Sequence, residues 1–135
     1  TRPRPAPAFF ELRDWREGGE RVSTPLGPLF VRRQVEPRLP VLLLIHGFPS
    51  ASWDWSPLWE PLSQHFSLVA LDLLGFGDSA KPRGHRYTIA EQAELCEWLL
   101  RREGAWDYHV LAHDYGDTVA QELLARQLDK RKPRP

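Results

Sequence analysis

His109-Val110-Leu111-Ala112-His113-Asp114-Tyr115-Gly116-Asp117 is the stretch on which the fold turns. It opens as a short apolar run and passes into a segment in which Val119, Ala120, Leu123, Leu124 and Leu128 recur at helical spacing, from about Asp117 to Leu128. A strand that gives way at once to a helix must turn sharply, and the residue at the bend is pushed outward above the carboxyl edge of the sheet. A small residue two positions on lets the helix pack close to the turn, and Gly116 meets that need. This is a nucleophile-elbow arrangement with Asp114 at its centre. A carboxylate there can attack an electrophilic carbon and form an ester, and a helix N-terminus favours its ionised form. Asp is also a favoured helix N-cap, so the junction taken alone admits a purely structural reading.

Upstream, Val41-Leu42-Leu43-Leu44-Ile45 is continuously apolar and Phe66–Leu71 nearly so. Unbroken runs of this length suit strands buried on both faces, as in a parallel sheet. Thr88-Ile89-Ala90-Glu91 has the spacing of a capping box. Ile89, Ala93, Cys96, Leu99 and Leu100 then predict an amphipathic helix to Arg102, ended by Gly104. Trp53–Gln64 reads as partly helical, with Pro57 and Pro61 against one regular helix. Strands alternating with such helices predict right-handed βαβ units in an open α/β sheet. Glu20–Gln34 reads as a hairpin, with strands at Arg21–Thr24 and Leu29–Arg33 and its turn at Pro25-Leu26-Gly27. Phe9–Trp15 reads as an edge strand or a short packed segment, and both termini as tails.

The 135 residues suit one domain, and eighteen Lys+Arg balance eighteen Asp+Glu. That balance gives no reason to expect nucleic acid as partner, and the four basic residues near the C-terminus do not amount to a binding footprint. The single cysteine, Cys96, excludes an internal disulfide framework and fits a reducing compartment, so a cytoplasmic location is expected. The longest apolar run is far too short to span a bilayer, and no signal peptide is visible. The first residue is Thr, which implies either a removed initiator Met or a fragment. Gly75-Phe76-Gly77 lacks the third glycine of a dinucleotide fingerprint. His65, His85 and His109 are expected to be surface or structural, and the ligand-type residues do not have zinc spacing, so no metal or cofactor is expected.

Three segments in register resemble the α/β-hydrolase superfamily, in its epoxide hydrolase and haloalkane dehalogenase branch: His46-Gly47-Phe48-Pro49, Asp72-Leu73-Leu74-Gly75-Phe76-Gly77-Asp78-Ser79, and His113-Asp114-Tyr115-Gly116. The resemblance runs from about residue 20 to 128. It implies an α/β-hydrolase fold, a mostly parallel sheet with helices on both faces, cut short after the elbow helix. Residues 1–19 would be an N-terminal extension, 20–128 a partial hydrolase domain and 129–135 a C-terminal tail. The implied nucleophile is Asp114, and the implied oxyanion donors are the backbone N–H groups of Phe48 and Tyr115. His46, Gly47, Asp72, Gly75, Gly77, Gly116 and Ser79 would hold the loops. Trp53, Trp55 and Trp59 could wall a pocket for a small-molecule substrate, although core packing is the commoner use of Trp.

The sequence departs from the family pattern in several places. The cap, the later strands, the acid and the histidine that activates water have no counterpart, so an ester could form here but would hydrolyse slowly or not at all. Tyr115 and Phe48 stand where dehalogenases carry side-chain N–H donors, which disfavours a haloalkane or haloacetate dehalogenase, the runner-up within the class. An inert fragment or interaction module is the alternative from another class. A sheet ending at this strand would leave an open edge and a marginally stable, aggregation-prone chain.

Overall fold

The structure, a computed structural model, describes residues 10–131. The expected N-terminal tail at 1–8, and residues 132–135 of the C-terminal tail expected at 129–135, lie outside the described residues. A five-stranded sheet has the order β1-β2-β4-β3-β5, formed by β1 (Glu20–Val22), β2 (Leu29–Gln34), β3 (Val41–Ile45), β4 (Ser67–Leu71) and β5 (Tyr108–Ala112). β3 pairs in parallel with β4 on one side and β5 on the other, whereas β2 runs antiparallel to both β1 and β4. The sheet is therefore mixed, with β2 running against the common direction of the other four strands. The hairpin supplies the antiparallel part, since a turn as short as Thr24–Gly27 can join only antiparallel strands.

Alternation along β3 explains why its run is unbroken. Leu43 and Ile45 face one core with α3 (Ile89–Arg102) and α4 (Tyr115–Arg131), while Leu42 and Leu44 face a second core on the opposite side. Ala93, Cys96, Leu99, Leu100, Val119 and Leu123 complete the first core. Trp59 of α2 (Ser56–Ser63) completes the second with Trp15 of α1 (Leu12–Glu17). Period-2 burial on both faces accounts for the apolar runs Val41–Ile45 and Leu68–Leu71, while the buried hydroxyl of Ser67 at the start of β4 is bonded to the Glu36 backbone. β5 departs from that expectation. It has a strand neighbour on one side only, and its residues are half-buried or exposed. Beside it, Trp106, Tyr108, Val110, Leu123, Leu124 and Leu128 line an open groove of about 510 Å³.

Several local expectations are corrected. Phe9–Trp15 holds no strand among its described residues. Helix α1 begins at Leu12, and Trp15 is buried edge-on to Trp59 with ring centroids 5.0 Å apart. Arg32 stacks over the Trp15 ring and donates to the carbonyls of Asp14 and Trp15 at the end of α1, so packing overrides the strand-like composition. Pro61 lies inside α2, and Pro57 sits in its first turn, where a missing N–H costs nothing. A 3-10 turn at Ser52–Trp55 precedes that helix. Thr88 Oγ1 accepts from Glu91 N–H at 3.1 Å and caps α3, but Glu91's own carboxylate meets His85 Nε2 at 2.6 Å, so the capping box is one-sided. Helix α4 starts two residues earlier than expected and runs on to Arg131, taking up the first residues of the expected C-terminal tail. Among the described residues no helix is long and apolar enough to cross a membrane, and no group of three or more His, Cys, Asp or Glu could hold a metal ion.

Candidate active site

The site is built where two adjacent parallel strands end. The connection leaving β3 passes through α2 on one face of the sheet, and that leaving β5 passes through α4 on the other. Open α/β sheets bind ligands in the crevice outside the carboxyl ends of such strands. β3 delivers His46-Gly47-Phe48 to that crevice and β5 delivers His113-Asp114-Tyr115.

Asp114 is exposed and adopts φ 55, the one described non-glycine residue with positive φ. Its Oδ1 accepts from the N–H of Tyr115 at 2.7 Å. A conventional N-cap has extended dihedrals and accepts from the second or third helical N–H. Asp114 has neither feature, so its conformation is that of an elbow rather than a cap. The bend is pinned by Gly116 N–H to the His113 carbonyl and Asp117 N–H to the Asp114 carbonyl, both at 2.9 Å. His113 N–H also donates to the Ile45 carbonyl at 3.2 Å, tying the elbow to the end of β3. The approach is close enough to require glycine twice. A Cβ on Gly116 would lie 2.3 Å from the Ile45 carbonyl oxygen, and one on Gly47 would lie 2.7 Å from Asp114 Cβ.

His46 is fully buried, and both ring nitrogens are engaged. Leu73 N–H donates to Nε2 at 2.9 Å, so Nδ1 carries the proton and donates to the Gly47 carbonyl at 2.8 Å. Burial lowers the pKa of His46 from its ordinary value and keeps the ring neutral. Holding the Gly47 carbonyl against the buried ring has a consequence across the peptide plane. In a trans peptide the N–H of Phe48 points opposite that carbonyl, away from the ring.

Asp72, also buried, accepts from Ser52 N–H and Asp78 N–H, each at 2.8 Å. Its carbonyl takes the Ser79 hydroxyl, whose oxygen accepts from Phe30 N–H at 2.9 Å. Gly77 has φ 50, and a Cβ there would stand 2.2 Å from Asp72 Oδ2, which accounts for its glycine. Gly75, at φ 88, makes the companion bend. These residues hold the loop after β4.

The tryptophans divide. Trp55 is 7% exposed and packs in the second core, so the structure gives it a core role rather than a pocket wall. Trp59 is likewise buried, its indole N–H on Gln34 Oε1 at 2.9 Å. Trp53 is partly exposed, donates to the Phe10 carbonyl and lines a cleft with Leu12, Trp15 and Pro49 that does not include Asp114.

Two residues at the site were not singled out from sequence. Gln92 is buried and clamps Leu74 from both sides, with Oε1 accepting from its N–H at 3.1 Å and Nε2 donating to its carbonyl at 2.9 Å. The Tyr115 hydroxyl has its pKa raised by burial, with Gln92 acting in the opposite direction. The available signal was a polar residue on the apolar stripe of α3. Phe76 is the second: its ring meets those of His46, Phe48 and Tyr115.

The sequence profile of the α/β hydrolase fold family matches residues 40–132, and the chain belongs to that family. Its relatives divide by name. Over 97 residues, 70% of this chain and 29% of the relative, it is 52% identical to the mesoderm-specific transcript homolog protein of Bos taurus. Over 122 residues, 90% of this chain and 42% of the relative, it is 44% identical to LipZ of Mycobacterium tuberculosis (strain ATCC 25618 / H37Rv), named as a hydrolase. Among solved structures, one of Pseudomonas aeruginosa described as an epoxide hydrolase superposes with a TM-score of 0.74 at 26% identity, covering 82% of this chain and 37% of that one. More distant relatives carry the names lysophospholipase and fluoroacetate dehalogenase. The chain spans less than half the length of the curated relatives it matches.

Proposed function

We propose that Asp114 is the nucleophile of an epoxide-hydrolase-like reaction on a small uncharged molecule, carried by residues 20–128. The observation that supports this most is the bond from Tyr115 N–H to Asp114 Oδ1 on a backbone held at φ 55. It engages one carboxylate oxygen on a backbone donor and leaves Oδ2 to attack. In the first step Oδ2 forms a bond to an oxirane carbon, the carbon–oxygen bond of the ring breaks, and the departing alkoxide takes a proton from water. The product is an ester in which Oδ1 is the carbonyl oxygen. When water adds to that ester, negative charge gathers on Oδ1, already 2.7 Å from an amide donor. Phe48 N–H, oriented through His46, is the second donor in this reading. One such donor is worth about 3–4 kcal/mol in the transition state. The second step needs a general base, and we assign none among residues 10–131, so the ester is the expected end point for this chain alone. Phe48 and Tyr115 offer no side-chain N–H to a leaving halide, which keeps the dehalogenase reading second.

The test is incubation of the purified chain with a neutral epoxide, followed by intact-mass measurement and peptide mapping. A single adduct on Asp114, absent in Asp114→Asn, supports the proposal. Absence of an Asp114 adduct after prolonged exposure overturns it and favours a binding or inert role.

A further inference from the structure

Phe76 stands where the loop after β4 meets the segments that leave β3 and β5. Its ring centroid lies 5.2 Å from that of His46, 6.2 Å from Phe48 and 5.6 Å from Tyr115. The latter two rings belong to the residues whose amides are the donors in the proposed function, of which Tyr115 N–H bonds Asp114 Oδ1. The position is rigid. Phe76 N–H donates to the Leu73 carbonyl at 2.9 Å, its own carbonyl accepts from Ser79 N–H at 3.0 Å, and glycines with left-handed φ flank it on both sides. Phe76 and Tyr115 are half-buried, and Phe48 is 67% exposed beside them, so an aromatic surface opens at the mouth of the site.

The charge of the same loops is one-sided. Residues 46–50, 72–80 and 113–118 contain four Asp, at 72, 78, 114 and 117, and no Lys or Arg; the nearest ammonium along the chain, Lys81, is turned onto the Gly77 and Ser79 carbonyls. Asp78 already holds Arg16 at 2.7 Å. A carboxylate-bearing substrate entering here would face a carboxylate nucleophile, with Lys81 already engaged by the Gly77 and Ser79 carbonyls and Arg16 by Asp78, whereas a flat neutral ring would find ring faces and edges to pack on.

We propose that Phe76 is a specificity-determining residue, and that this site prefers neutral electrophiles carrying an aryl group over alkyl analogues and rejects anionic ones. The inference rests on Asp114 acting as the nucleophile. The covalent step is the one already written: Oδ2 bonds to the unsubstituted oxirane carbon, the ring carbon–oxygen bond breaks, and the alkoxide is protonated by water, so the adduct gains the mass of the whole epoxide.

The experiment uses the full chain with phenyl glycidyl ether, n-butyl glycidyl ether and the glycidate anion. The first two share the same reactive oxirane and differ in the remote group. Initial rates of Asp114 alkylation are read by peptide mapping and divided by each reagent's rate with acetate in solution. The phenyl ether is expected to react about five-fold faster than the butyl ether, the range that one aromatic contact provides. Glycidate is expected to give no Asp114 adduct. Phe76→Leu should bring the phenyl rate down to the butyl rate, and Phe76→Tyr should keep the preference. Should Phe76→Leu fail to fold by circular dichroism, the wild-type ratio and the Phe76→Tyr ratio decide. Equal phenyl and butyl rates, a preference untouched by Phe76→Leu, or efficient alkylation by glycidate would overturn the specificity inference while leaving Asp114 as nucleophile. No Asp114 adduct from any of the three would instead overturn the nucleophile, and this inference with it.

Discussion

Replacing Gly116 by alanine tests the geometry on which the site depends. In an ordinary helix the change stabilises by about 0.5–1 kcal/mol, because alanine loses less backbone freedom on folding. Here the added methyl would lie 2.3 Å from the Ile45 carbonyl oxygen, 2.7 Å from that of His46 and 2.9 Å from the Ile45 carbonyl carbon. All three are backbone atoms of the central strand and its exit, so no side chain can swing aside. Relief requires the elbow to back away from β3 by roughly 1 Å in a close-packed interior. Overpacking of this kind costs about 1–3 kcal/mol, which outweighs the helix gain and leaves a net loss of roughly 1–2 kcal/mol, or a fall in Tm of about 4–8 °C for a domain of this size. The same retreat carries Asp114 away from Gly47 and Phe48, and a misplacement of about 1 Å can slow a reaction on the order of 100-fold. Thermal unfolding by circular dichroism, together with the rate of Asp114 alkylation by a neutral epoxide, reads both consequences. Gly104→Ala is the comparison. Gly104 has φ 71 and open space where the Cβ would go, so that variant should lose about 1 kcal/mol through backbone strain alone and alkylate normally. A Gly116→Ala protein that melts at or above the wild-type temperature would refute the close approach of elbow and central strand.

Other outcomes follow from buried groups and from the open edge. Burial depresses the pKa of His46, so the unfolded chain binds a proton at a pH where the folded chain does not. Stability should therefore fall as pH drops below about 6.5 and stop changing on this account once the folded ring also protonates; a His46→Asn protein with the same slope of Tm against pH would count against this. The Cys96 thiol is fully buried and pushed up to about 12, so it should resist alkylation in the folded protein and react at once in denaturant; rapid labelling without denaturant would refute it. Trp106, Leu124 and Leu128 are 73%, 61% and 54% exposed along the groove beside β5. Leu124→Glu should then shift the chain toward monomer in sedimentation velocity, whereas a wild-type chain already monomeric at high concentration would contradict an adhesive edge.

Local patterns carried far in this sequence because each rests on contacts close along the chain. The unbroken run at Val41–Ile45, the cap at Thr88, the stop at Gly104 and the bend at Asp114 are all properties of neighbouring residues. Where packing with distant residues decides, local pattern left alternatives open. Composition at Phe9–Trp15 allowed an edge strand or a short packed segment, and the contacts of Trp15 with Trp59 and Arg32, both remote in sequence, go with a packed helix. Gln92 has its role only because the fold brings the Leu74 backbone, remote in sequence, to its side chain.

By itself the sequence determined most of the strands and helices and the bend at Asp114, though not helix α1, since side-chain periodicity and turn chemistry act over a few residues. Only the tertiary structure decided that β3 lies between β4 and β5, which sets Gly47 against Asp114, leaves β5 at the edge and gathers Phe48, Phe76 and Tyr115 into one wall. Strand order is chosen by how two hydrophobic faces are covered at once, and that is a property of the whole sheet rather than of any stretch of it.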